Sequence, residues 1–238
     1  MVAFINGGSR GIGAAMVRAF CAAGYQVAFT YERSKVAASA LYQETGAFPI
    51  LADSSQSADV YQAVALAEER LGGIDVLINN AAISRIGLIT DLSSEEWEKM
   101  LSVNVSGYFH YCRAVLPGMV RKKQGRIINI SSMWGVVGAS CEVAYSTTKA
   151  AIIGLTKALA KEVGPSGITV NAIAPGVILT EMNASLGEET LKELAEAAPL
   201  GRIGLPEEVA ELALFLAGKG GDFITGQVLL QDGGFASS

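Results

Sequence analysis

A phenol and an ammonium stand four residues apart in Tyr145-Ser146-Thr147-Thr148-Lys149, within a stretch of helical patterning. Residues at that spacing share one face of a helix. A free phenol ionises near pH ~10, too high for efficient proton exchange at neutral pH, and a neighbouring cation lowers that value by favouring the phenolate. The pair therefore predicts a general acid in a reduction, or a base in the reverse oxidation. The spacing is weak on its own, because a packed tyrosine and a surface lysine produce it as well. Upstream, Ser132 closes the strand-like run Gly125–Ser132. A hydroxyl at the carboxyl end of a strand faces the crevice where open α/β sheets bind ligands, although a serine ending a strand is also ordinary turn chemistry.

The second constellation lies at the start of the chain. Val2–Ile5 runs into Asn6-Gly7-Gly8-Ser9-Arg10-Gly11-Ile12-Gly13 and then into an apolar helical pattern, so the glycines fall at a strand-to-helix turn. Such a turn needs unusual backbone angles and close approach to a pyrophosphate, and the following helix offers unpaired N–H groups to anionic oxygens. A dinucleotide is the predicted ligand. The residue closing the second strand reports on the ribose, because a carboxylate there repels a 2′-phosphate. Here the acidic position holds Tyr31, followed by Glu32 and Arg33, and Arg10 adds a second guanidinium. Guanidinium groups suit phosphate oxygens, so NADP(H) is favoured over NAD(H), with Glu32 arguing the other way. Asp53 and Ser54 follow the third strand near the adenine position, and Asn79-Asn80-Ala81-Ala82 ends the fourth.

The elements that must carry these residues can be read from periodicity. Short aliphatic runs at Val2–Ile5, Gln26–Tyr31, Phe48–Leu51, Val76–Asn79, Arg126–Ile130, Thr169–Ala174 and Gln227–Gln231 alternate with helical stretches that include Gly13–Ala23, Ala58–Leu71, Glu95–Arg121, Ser146–Val163 and Pro206–Leu216. Strands apolar on both faces and joined by crossover helices predict a doubly wound, Rossmann-type α/β fold: a seven-stranded parallel sheet with helices on both faces. The 238 residues, half of them apolar, suit a single domain over 1–238, with the polar segment 179–205 a possible mobile lid. Cys21, Cys112 and Cys141 form no metal-ligand or CxxC pattern, which predicts a reducing, cytoplasmic setting. No leader or membrane span is legible, and a formal charge of −5 without a basic block argues against nucleic acid.

The glycine turn, Asn79–Ala82, Ser132 with Tyr145 and Lys149, and the segment Asn171–Thr180 occur in an order, over nearly the whole chain, that resembles the short-chain dehydrogenase/reductase family. The resemblance implies NADP(H)-dependent oxidoreduction with Asn104, Ser132, Tyr145 and Lys149 as the catalytic set, Asn104 helping to hold a water beside the lysine and Ser132 positioning the substrate oxygen. It also implies that Pro175, Gly176 and Ile178 pack on the nicotinamide, that Thr180 lies near the diphosphate, and that the chain assembles as a homotetramer. Asn6 stands where the family more often has Thr, and Ala82 where it has Gly; neither is expected to abolish cofactor binding.

Within that family the chain is most similar to 3-oxoacyl-acyl-carrier-protein reductases, which implies a thioester substrate tethered to an acidic carrier. The basic run Arg121-Lys122-Lys123 is the candidate docking patch, whereas Ser166 occupies a position that is often basic. A narrower likeness, over Ser131–Tyr145, is to reductases of the 5-aminopentanone modification on elongation factor P. In that reading Glu142 recognises an amine, and Trp134 and Met133 shape the pocket. A different class, a cofactor-binding regulator without catalysis, is disfavoured by the intact Asn104, Ser132, Tyr145 and Lys149. His110, the lone histidine, is read as packing rather than chemistry.

Overall fold

The computed structural model describes residues 1–183 and 187–237. Its seven strands, β1 (Val2–Ile5), β2 (Gln26–Tyr31), β3 (Phe48–Leu51), β4 (Val76–Asn79), β5 (Gly125–Ile130), β6 (Ile168–Pro175) and β7 (Val228–Gln231), form one parallel sheet in the order β3-β2-β1-β4-β5-β6-β7. Every strand lies where the aliphatic runs predict it. The central strands are buried on both faces, β6 along all eight residues, which is why they read as unbroken apolar runs.

The helices are α1 (Gly11–Ala22), α2 (Lys35–Thr45), α3 (Ser57–Leu71), α4 (Ser94–Leu101), α5 (Gly107–Lys122), the short α6 (Trp134–Val137), α7 (Val143–Val163), α8 (Glu188–Ala197) and α9 (Pro206–Ala217). They cover the sheet on two sides. Met16, Val17 and Phe20 of α1 pack with Val209, Ala213 and Leu216 of α9 on one face. Val60 and Val64 of α3, Tyr111 and Val115 of α5, and Leu159 of α7 fill the other. Helix α2 escapes sequence reading because it buries little besides Ala38 and Leu41.

One departure bears on function. The expected helix Glu95–Arg121 is broken by a π-helical turn at Ser102–Ser106 between α4 and α5. The expected lid 179–205 contains α8 and is joined to its surroundings by backbone bonds from Leu179 to Gly204 and from Leu200 to Gly233, at 2.9 and 3.1 Å. Residues 184–186 of that segment lie outside the described residues.

Candidate active site

Strand order reverses between β1 and β4, and the glycine turn, the Asn79–Ala82 segment, Ser132 and the start of α7 all gather at the carboxyl ends of the strands beside that point. Helix α7 carries Tyr145 and Lys149 one turn apart. The Tyr145 phenol lies beside the Ser132 hydroxyl, close enough for the hydroxyl to favour its ionised form, and the Lys149 ammonium lies 5.6 Å from the Tyr145 ring centroid. Lys149 is 1% exposed and donates to the Ile130 carbonyl at 2.8 Å, which also accepts from the Tyr108 hydroxyl at 3.1 Å.

Ionisation at this cluster departs from the sequence expectation. Burial holds the Tyr145 phenol well above its usual range, the Glu142 charge adds to that, and the neighbouring Ser132 hydroxyl opposes it. Burial lowers Lys149 to about 7. The predicted lowering of the phenol by a full lysine charge is therefore not produced by these residues alone, because desolvation acts on both groups against their charged forms. The phenol stays protonated at neutral pH, the form from which a proton can be donated.

Asn104 occupies the π-helical turn and is fully buried. Its oxygen accepts from the Ile83 N–H at 2.9 Å, while its nitrogen donates to the Ile83 carbonyl at 2.9 Å and to the Thr148 hydroxyl at 3.1 Å. The side chain thus clamps the loop after β4 to the catalytic helix, with its amide spent on protein groups rather than on Lys149. Extra residues in such turns shift side-chain direction relative to a regular helix, which helical periodicity cannot register.

A polar ladder beneath the site was also invisible in the sequence. Asn6 donates to Asn79 at 2.7 Å, Asn79 to Asn129 at 2.9 Å, and Asn129 to Thr156 of α7 at 2.9 Å, all fully buried. The Asn6 oxygen meanwhile accepts from the Asn80 and Ala81 N–H groups at 2.7 and 2.6 Å. The glycine turn, the loop after β4 and the catalytic helix are therefore held by one satisfied network. Only the occurrence of several asparagines at strand ends hinted at it.

The turn itself fits a pyrophosphate. Gly7 has φ +65°, and a Cβ on Gly13 would collide with the Gly7 carbonyl, so α1 can begin this close to β1 only without a side chain. No side chain caps α1 and no acid occupies its first turn, leaving the helix N-terminus to an anion. Gly8 donates to the Thr30 carbonyl at 2.9 Å, Ser9 is partly exposed and Ile12 packs on the core. Around the ribose position Tyr31 is partly buried. Arg33 pairs with Glu32 at 3.1 Å, and Arg10 reaches Glu181 at 3.4 Å; both guanidinium groups are largely exposed.

Asp53 accepts from the Ser55 N–H at 2.8 Å and from Lys99 at 3.3 Å. Burial acts to raise its carboxyl, but the Ser55 and Lys99 contacts prevail and hold it below the usual range. Ser54 is buried beside it. On the opposite side, the Pro175 carbonyl accepts from Met133 at 2.9 Å and the Gly176 N–H donates to Gln231 at 3.0 Å. The Ile178 carbonyl accepts from Asn183 at 2.8 Å, and the Thr180 methyl rests near Gly11.

Of the substrate-side residues, Trp134 stacks edge-on against Phe235, with ring centroids 5.4 Å apart. Glu142 precedes α7, caps nothing, and has its carboxyl raised by burial. The basic run is not near the crevice. Arg121, Lys122 and Lys123 precede β5, at the amino ends of the strands, and Lys122 is engaged by Asp75 at 2.8 Å. That is the end opposite the active site, so the expected docking patch is not part of the crevice within one chain. His110 lies on α5 against Phe109 and Tyr61, away from the crevice. Gly135, missed in the sequence, lets α6 approach α7: a Cβ there would meet the Lys149 backbone at 2.7 Å.

Residues 7–236 match the family model described as enoyl-(acyl carrier protein) reductase. The chain is 42% identical over 240 residues to 3-oxoacyl-acyl-carrier-protein reductase FabG of Chlamydia trachomatis, covering 98% of this chain and 96% of that one. It is 43% identical over 234 residues to acetoacetyl-CoA reductase of Rhizobium meliloti, with 98% and 97% covered. Among solved structures, a blue fluorescent protein from a metagenomic library in complex with NADPH superposes with a TM-score of 0.92 at 40% identity, covering 99% of this chain and 97% of that one.

Proposed function

Because this chain belongs to the short-chain dehydrogenase/reductase family of oxidoreductases, we propose that it reduces a ketone to a secondary alcohol with NADPH, its substrate being a 3-oxoacyl thioester. The observation that carries the reading is the placement of Tyr145 beside Ser132 and one helical turn from buried Lys149, 5.6 Å from its ring centroid, at the sheet's switch point. Ser132 donates to the carbonyl oxygen and aligns it. Tyr145, kept protonated by burial, delivers its proton to that oxygen as the carbonyl carbon is reduced. Lys149, with a pKa of about 7, sits ready to exchange a proton near neutrality. Bound NADPH supplies the hydride. The glycine turn and the α1 N-terminus hold the pyrophosphate, Asp53 and Ser54 flank the adenine, and Asn79, Asn80 and Ala81 form the floor. Pro175, Gly176, Ile178 and Thr180 line the nicotinamide side. Arg10 and Arg33, exposed and paired only with surface glutamates, would hold the 2′-phosphate.

The names of the relatives support the thioester, through a carrier protein in one case and coenzyme A in the other. A second reading, an amino ketone such as the 5-aminopentanone group on elongation factor P, is favoured by Glu142, a half-buried carboxylate whose charge reaches Tyr145. The reducing cytoplasm and a homotetramer complete the proposal. Among the described residues no helix is long and apolar enough to cross a membrane, and exposed Phe109, Phe215 and Phe223 give subunits apolar faces to share. The decisive assay is NADPH consumption with an acetoacetyl thioester. NADPH binding without turnover of this or any activated ketone would restore the silent-regulator reading.

A further inference from the structure

Neighbouring strand ends place asparagines in one row. Asn79 of β4 stands beside Asn129 of β5 in the sheet register, and Asn6 follows Ile5, which stands beside Ile78. These asparagines are fully buried, as is Thr156 of α7. Neither hydride nor proton passes through Asn129 or Thr156, and a buried polar row is costly unless each group in it is matched.

An amide is a directional unit, because its oxygen only accepts and its nitrogen only donates. The Asn6 oxygen takes the Asn80 and Ala81 N–H groups at 2.7 and 2.6 Å, so its nitrogen must face Asn79. The Asn79 oxygen is then turned to Asn6 and its nitrogen to Asn129, whose own nitrogen is turned to Thr156. Reversing any one amide sets donor against donor. The row must therefore end on a group that accepts from the sheet and donates elsewhere. The Thr156 hydroxyl does both, accepting from Asn129 at 2.9 Å and donating to the Ile152 carbonyl at 2.8 Å. A valine has the same shape and neither capacity.

The two ends of the row carry different halves of the reaction. At one end lie Asn80 and Ala81, beside the glycine turn that holds the dinucleotide. At the other lies α7, on which Thr156 follows Lys149 by about two turns and Tyr145 by about three, sharing their face. Ketone reduction needs hydride and proton to reach adjacent atoms of one carbonyl, and an error of about 1 Å between reacting groups costs on the order of 100-fold.

We propose that Asn129 and Thr156 are positioning residues for the reduction, fixing the catalytic helix in register with the cofactor loop through this one-way row of amides. The assignment rests on Tyr145 as the proton donor. Lys149 and Ser131 also tie α7 to β5, and Asn104 ties it to the loop after β4, so the helix stays docked when Thr156 is altered. The expected loss is accordingly about tenfold rather than 100-fold.

The test measures NADPH-dependent reduction of the acetoacetyl thioester of N-acetylcysteamine, with kcat scaled to NADPH-binding sites. Thr156→Val should lower kcat about tenfold and leave the KM for NADPH within about twofold, with a deuterium isotope effect on hydride transfer at least as large as the wild type's. Thr156→Ser keeps the hydroxyl and should restore kcat to within about twofold of wild type. Asn129→Ala cuts the row from the sheet side, which keeps the proposal testable if the valine variant does not fold. Adding Thr156→Val to Asn129→Ala should lower kcat by less than about twofold further, against about tenfold for independent sites. A thermal-unfolding midpoint that drops while scaled kcat holds overturns the proposal, because the row is then structural only. A rise in the KM for NADPH at unchanged kcat overturns it as well. A wild type that reduces no activated ketone overturns Tyr145 as the proton donor, and the positioning role falls with it.

Discussion

Lys149 and Arg10 are both cations brought to the crevice by strand-to-helix connections, yet the fold treats them oppositely. Lys149 is 1% exposed, held by the Ile130 carbonyl, and lowered to about 7. The Arg10 side chain is 63% exposed and meets Glu181 at 3.4 Å, a surface pair worth about 0–1 kcal/mol. The lesson is that the Tyr145–Lys149 side of the site is built into the fold, with ionisation set by burial. The side that carries Arg10 and Arg33 is a set of solvated charges in weak surface pairs.

The sharpest way to break this contrast is Tyr145→Phe. It should lower kcat by about 100-fold or more while leaving NADPH affinity within a few-fold, because ring packing survives and the proton does not. Equal turnover in steady-state assays would remove Tyr145 from the chemistry. Replacing both Arg10 and Arg33 by Ala comes next, with an expected loss of about 2–4 kcal/mol in NADPH binding and little change for NADH. If titration finds NADH the tighter ligand of the unaltered protein, Glu32 governs the ribose pocket.

A smaller effect separates the two substrates. Glu142→Gln should slow an amino ketone on elongation factor P about tenfold, a ~1.4 kcal/mol loss of a charge-assisted contact, and barely alter acetoacetyl thioester. Equal responses would exclude Glu142 from amine recognition. The smallest expected effect concerns stability. Lys149 has a folded pKa of about 7 against 10.5 when free, so the unfolded chain binds its proton more tightly between those values. Its destabilising effect is full below about pH 7 and fades as pH rises, so the unfolding free energy should climb by about 1 kcal/mol or more from pH 7 to 9 relative to Lys149→Met. Parallel denaturant curves for the two proteins would show that the lysine is not desolvated as described.

Much of the fold was legible because parallel strands buried on both faces leave an apolar run that needs no partner to recognise, as β1, β4 and β6 show. The crevice was legible too, since glycines after a first strand and a Tyr-Lys pair one helical turn apart are local patterns. The position of the basic run was not legible, because its charge is local while its place in the fold is not: only the sheet shows that Lys122 stands at the amino ends of the strands, bound to Asp75.

The sequence alone determined the order of the strands, the glycine turn and the shared face of Tyr145 and Lys149, all consequences of short-range periodicity and backbone sterics. Tertiary structure decided what those residues become. The protonation of Tyr145 and Lys149 follows from desolvation by distant segments. The Asn6–Asn79–Asn129–Thr156 ladder joins residues as many as 73 positions apart along the chain. Such contacts carry no signature in any window of sequence, because burial and hydrogen-bond partnership are set by which strands become neighbours.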